Sequence, residues 1–94
     1  MQANLRGTVL PSAPSFYVRY FFHLHSDVET QDEEGVDLPN EAAARDRAED
    51  EARMMAAASV QQGYLRLSHN IQVTDETGEP VLKVTFGDVV KLVG

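Results

Sequence analysis

Hydrophobic and polar residues alternate in the segment Tyr17 to His25 (YVRYFFHLH), which is also rich in aromatic and β-branched side chains. That pattern predicts a strand. Period-two alternation puts Tyr20, Phe22 and Leu24 on one face and Arg19, Phe21, His23 and His25 on the other. The first set is the better core face. The period is then lost in Ser26 to Glu34 (SDVETQDEE), a polar acidic loop. Gly35 permits a positive-φ turn. Val36 and Leu38 alternate with Asp37, so GVDL reads as a short second strand, hairpin-paired with the first and stopped by Pro39.

A helical pattern follows. Asn40 is a good N-cap and Glu41 an acid in the first turn, where the helix dipole favours one. The run to about Gln62 has strong helix formers and neither glycine nor proline, and Gly63 is a plausible stop. Ala44, Ala48, Ala52, Met55 and Ser59 recur at three- and four-residue steps, with Ala58 beside them. So narrow a stripe of small residues suits a helix lying close on a sheet. The opposite face carries Arg45, Asp46, Glu49, Asp50 and Arg53. Arg45–Glu49, Glu49–Arg53 and Arg47–Glu51 have the i,i+4 spacing of surface ion pairs.

Alternation returns in Leu65–Thr74, a predicted third strand with Leu67, His69, Ile71 and Val73 inward. Asp75 to Pro80 (DETGEP) is a turn signal. Val81–Phe86 reads as a fourth strand, with Leu82, Val84 and Phe86 inward and Val81, Lys83 and Thr85 outward. Asp88 is placed to cap a final helical turn, the alternative being that the strand continues through VVKLV. The order strand, strand, helix, strand, strand implies an α+β, ββαββ domain. Its antiparallel sheet would have three to four strands, with one face covered by a single long helix, about 40–62. Residues 1–15, with two prolines and no usable period, are expected to form a flexible N-terminal extension, and 16–94 a single small domain.

Composition narrows the function classes. Without cysteine there is no disulfide framework and no thiolate metal site. No apolar run approaches the roughly 18 residues of a membrane span, and the segment before Pro11 is a poor signal peptide. A cytoplasmic location and no membrane role are therefore expected. Fifteen acidic side chains against eight basic ones give a formal charge of −7, and the bases are scattered. Direct nucleic-acid binding, which needs clustered cations, is disfavoured. A chain this short buries only about 60–65% of its unfolded surface. Part of its apolar surface is therefore expected to be completed by a partner.

Read together, these segments resemble a bacterial domain-of-unknown-function family of short acidic proteins. The resemblance rests on Arg19-Tyr20-Phe21-Phe22-His23-Leu24, Asp32-Glu33-Glu34-Gly35-Val36-Asp37-Leu38-Pro39, and the alanine-rich run Ala42 to Ala58. It continues in Ile71-Gln72-Val73-Thr74-Asp75-Glu76-Thr77-Gly78 and Phe86-Gly87-Asp88-Val89-Val90. It covers about 17–90, in order, and leaves 1–15 outside. It implies a fold and no established activity, so no catalytic residue carries over. A hairpin followed by a helix and more strands is also similar, at the level of fold alone, to HicB-type antitoxin domains. That similarity implies a toxin partner as one reading.

The densest chemistry is RYFFHLHS, Arg19 to Ser26. An H-x-H pair on a strand sets two imidazoles on one face, about 6.5–7 Å apart by strand rise. A catalytic metal site needs a third ligand. His69 is predicted inward, away from the other two, so the candidate cluster is His23, His25 and Asp27, with Asp27 following on the outward face. The competing reading is two half-exposed histidines beside an acidic loop. The acidic loop lacks EF-hand spacing. Ser26–His25 and Ser68–His69 are adjacent and point to opposite faces, so neither is a nucleophile pair. No phosphate-binding or dinucleotide motif occurs. No cofactor and no catalytic residue are assigned, and no small-molecule ligand is identified. The expected function is a non-enzymatic protein-interaction or regulatory module, with a homodimer as its simplest form. Its contact face would be Arg19, Phe21, His23, His25, Val81 and Lys83. A metal-binding protein using His23 and His25 and an antitoxin-like regulator are the alternatives.

Overall fold

A computed structural model describes residues 16–94. The extension expected at 1–15 lies outside the described residues. The chain forms β1 (Val18–His25), β2 (Glu29–Thr30), β3 (Val36–Leu38), α1 (Glu41–Gln61), β4 (Asn70–Thr74), β5 (Pro80–Thr85) and α2 (Phe86–Val89). All strand pairs are antiparallel, in the order β2-β1-β4-β5, with β3 also paired to β1. The domain is α+β, with one long helix packed on a five-stranded sheet.

β2 is the strand the sequence hides. It has only two residues, set in the acidic loop, and pairs His25 with Glu29 and Leu24 with Thr30. β3 pairs Val18, Arg19 and Tyr20 with Leu38, Asp37 and Val36. The chain between them, residues 31–35, arches past Phe22, whose backbone N–H donates to Asp32 Oδ2 at 3.0 Å. One carboxylate thus stands where the strand ladder is interrupted.

The helix begins and ends where its capping residues require. Asn40 Oδ1 accepts from the Ala43 N–H at 2.9 Å, and Gly63 has φ +96° just past the last turn. Its buried positions are Ala44, Ala48, Ala52 and Ala56. The predicted stripe drifts at Met55, which is at the surface, because four-residue steps continue to Ala56 instead. With methyl groups alone at the contact, the helix lies against β4 and β5. The core also holds Tyr20, Phe22, Ile71, Val73, Val84 and Phe86.

One predicted strand boundary and one predicted helix cap are corrected. The third strand begins at Asn70, five residues later than the pattern implied. Residues 66–69 form a turn closed by His69 N–H to Arg66 C=O at 3.2 Å, and Leu67 is 41% exposed rather than inward. This turn docks on α2 instead: Phe86 and Gly87 N–H groups donate to His69 and Leu67 carbonyls at 2.7 and 3.0 Å. At the far end, Thr85 rather than Asp88 is the N-cap. Thr85 Oγ1 accepts from Asp88 N–H, and Asp88 Oδ2 accepts from Thr85 N–H, a reciprocal capping box.

Candidate functional site

Among the described residues, the sheet has one face under the helix and one without a covering element. Strand register assembles the uncovered face in rows: His23–Gln72–Lys83 across β1, β4 and β5, with Phe21 beside Thr74 and His25 beside Asn70. A shallow depression of about 430 Å³ lies there. Phe21, His23, His25, Gln72 and Thr74 line it, with Asp32, Asp75 and Glu76 at its rim. Lys83 is exposed on the same row.

Val81 differs from the expectation for this face. The ladder pairs Val73 with Leu82 but Thr74 with Pro80, a register shift that leaves Val81 as the extra residue. Val81 is half-buried and packs against the core cluster.

The hairpin half of this face is locked by its own side chains. Arg19 Nε and Nη2 donate to the two Asp37 oxygens at 2.8 and 3.1 Å, and Nη1 donates to the Glu34 carbonyl at 3.1 Å. Hydrogen bonding and charge from Arg19 hold the Asp37 carboxyl below the usual range. Gly35, at φ +73°, lies directly beneath: a Cβ there would come within 2.8 Å of Arg19 Cγ and 2.9 Å of the Phe21 ring. Asp32 accepts from three backbone N–H groups, those of Phe22, Glu34 and Gly35. Burial pushes its carboxyl up, but the three donors, with His23 nearby, outweigh burial and hold it below the usual range.

Both exposed-face histidines are engaged on both ring nitrogens. His23 Nδ1 accepts the Asp32 N–H at 3.1 Å, so the ring proton sits on Nε2, 3.0 Å from Thr74 Oγ1. His25 Nδ1 meets Glu29 Oε1 and Nε2 meets Gln72 Oε1 at 3.2 Å. Phe21 and His23 lie with ring planes 8° apart, centroids 6.5 Å apart.

Asp27 is not with them. β1 ends at His25, Ser26 caps the bend through Val28, and Asp27 turns away from the two histidines toward Tyr64, Arg66 and His69. Its Oδ2 accepts from the Tyr64 hydroxyl at 3.0 Å, while Oδ1 lies 3.7 Å from Arg66 Nε and 3.5 Å from His69 Nε2. The predicted cluster of His23, His25 and Asp27 therefore does not form. Among the described residues, no three His, Cys, Asp or Glu side chains are grouped to hold a metal ion. His69 is buried, as its inward position implied, edge-on to Phe86 at 5.7 Å. Its Nδ1 has no hydrogen-bond partner among the described residues.

The sequence reading missed one feature. Arg47 and Glu51, read there as a surface pair, stand at the mouth of a groove between α1 and the 31–35 loop. The only sequence signal for it is that Phe22 and Leu24 face inward on a strand the alanine stripe does not fully cover.

Together these features define a small α+β domain in which residues 19–24 and 32–38 build an internally bonded hairpin beside a sheet face left uncovered by the described residues. A family model for a domain of unknown function, DUF6894, matches residues 19–87, and the chain belongs to that family. The match spans the stretch from Arg19 to Gly87 that carries the family resemblance; it does not extend to the antitoxin domains. No curated protein and no solved structure matches the chain. No helix among the described residues is long and apolar enough to cross a membrane.

Proposed function

We propose that this domain is a non-enzymatic, cytoplasmic protein-interaction module that docks through its uncovered sheet face, with a second copy of the chain as the simplest partner. The observation that carries the reading is the face itself. An aromatic ring, Phe21, lies half-buried in a depression framed by imidazole, amide and hydroxyl groups. Rigid aromatic anchors with hydrogen-bonding neighbours are what protein interfaces use at their centres. The edge of the sheet supports the same choice. β5 starts at Pro80, carries the Val81 bulge and presents Lys83, three features that discourage strand-to-strand association at an edge. Contact is thereby steered from the edge to the face. Each His23 and His25 nitrogen already has a partner, so these rings serve the interface as shaped polar surface.

Light scattering at several hundred micromolar tests this. A dimer that Phe21→Ser converts to monomer, with the far-ultraviolet circular dichroism unchanged, supports the reading. A strict monomer in the unaltered protein removes self-association from it.

A further inference from the structure

The groove between α1 and the hairpin is separate from the uncovered face. Because α1 lies over β4 and β5, the inward side of β1 retains an opening of about 430 Å³. That volume is in the range of small-molecule sites, roughly 300–1,000 Å³. Phe22, Leu24, Val36, Met55 and Ile71 form its apolar wall.

Four charged groups face it: Arg47 and Glu51 from the helix, Asp32 and Glu34 from the loop. Arg47 spreads over the Phe22 ring, its guanidinium carbon 5.7 Å from the centroid. Its Nε stands 3.4 Å from Glu51 Oε2, too far for a strong charge-assisted hydrogen bond. Asp32 uses its oxygens on backbone donors. Glu51, whose side chain is only 34% exposed, accepts no hydrogen bond among the described residues. Loss of solvent pushes this carboxyl up, Arg47 pulls it down, Asp32 pushes it up again, and the net direction is upward. A carboxylate partly withdrawn from water and given no hydrogen-bond donor is an acceptor with unused capacity. Three carboxylates against one guanidinium disfavour an anion at the same mouth.

We propose that this groove binds a small organic ammonium ion with an apolar body, the apolar part on Phe22, Leu24 and Ile71 and the ammonium donating to Glu51. The cation supplies hydrogen-bond donors to Glu51 and adds positive charge at a mouth where three carboxylates face the single guanidinium of Arg47, and its hydrocarbon covers the wall.

Nuclear magnetic resonance titration of the side-chain methyls with hexylammonium, hexanol and hexanoate tests the assignment. Hexylammonium is expected to shift Leu24, Val36, Met55 and Ile71 saturably, at least tenfold more tightly than hexanol, with hexanoate weakest. Glu51→Gln is expected to erase the preference for the ammonium over the alcohol while leaving hexanol binding as it was. That last arm also shows that the groove is still folded. Equal binding of ammonium and alcohol, stronger binding of hexanoate, an unchanged preference in Glu51→Gln, or no shifts with any probe would overturn the proposal.

Discussion

Asp32 ties the loop before β3 to β1. Three backbone N–H groups converge on it, and its own N–H anchors His23. Replacing it with alanine strands those donors, and Asp32→Ala is expected to cost about 1–3 kcal/mol in urea unfolding at neutral pH. The pH dependence has a definite sign. The folded carboxyl is held below its ordinary value, so its contribution is fully present above the unfolded pKa and is lost as pH falls through the lowered folded one. The gap between wild type and Asp32→Ala should therefore shrink on the acid side of the ordinary aspartate range. A gap unchanged down to strong acid would mean that charge plays no part. Gly35 is the second single-residue dependence. Gly35→Ala is expected to lower stability by about 1–3 kcal/mol, since it combines a left-handed φ with contact against Arg19 and Phe21. At this scale, alternation in one strand was enough to place Tyr20 and Phe22 inward and His23 and His25 outward. Asp27 was not legible. Its partners Tyr64, Arg66 and His69 arrive from about forty residues away, and no local period encodes that return.

Elements with strong local signals came through with their ends in place. Asn40 and Gly63 bracket α1 because capping chemistry is written in one or two residues. The alanine stripe explains how the helix reaches the sheet, and it gives a direct check. Ala48→Leu adds three carbons at a position with no exposed surface, and overpacking of this kind is expected to cost about 1–3 kcal/mol. Thermal unfolding reads it, and a neutral result would show that the helix does not lie as close as the methyl contacts imply. β2 and the start of β4 were illegible for opposite reasons. A two-residue strand among polar residues has no period to detect. Leu65 and Leu67 continue an alternating pattern into a segment that the Asp27 contacts and the docking of Gly87 on Leu67 bend into a turn.

At the scale of the molecule, the two faces of the sheet divide the work. One face holds the core and, beside the helix, the groove that Glu51 overlooks. The other is bonded within itself and left uncovered. The segments RYFFHL and DEEGVDLP form in space a single hairpin whose arginine, aspartates and glycine serve one another. Its chemistry is consumed by architecture, and the surface it leaves is where recognition remains available. The most direct measurement is the solution mass of the intact chain by light scattering across a concentration series. A mass rising toward twice the 10.4 kDa of the single chain, and falling back in Phe21→Ser, is the result expected. A constant 10.4 kDa up to several hundred micromolar would contradict self-association through the uncovered face.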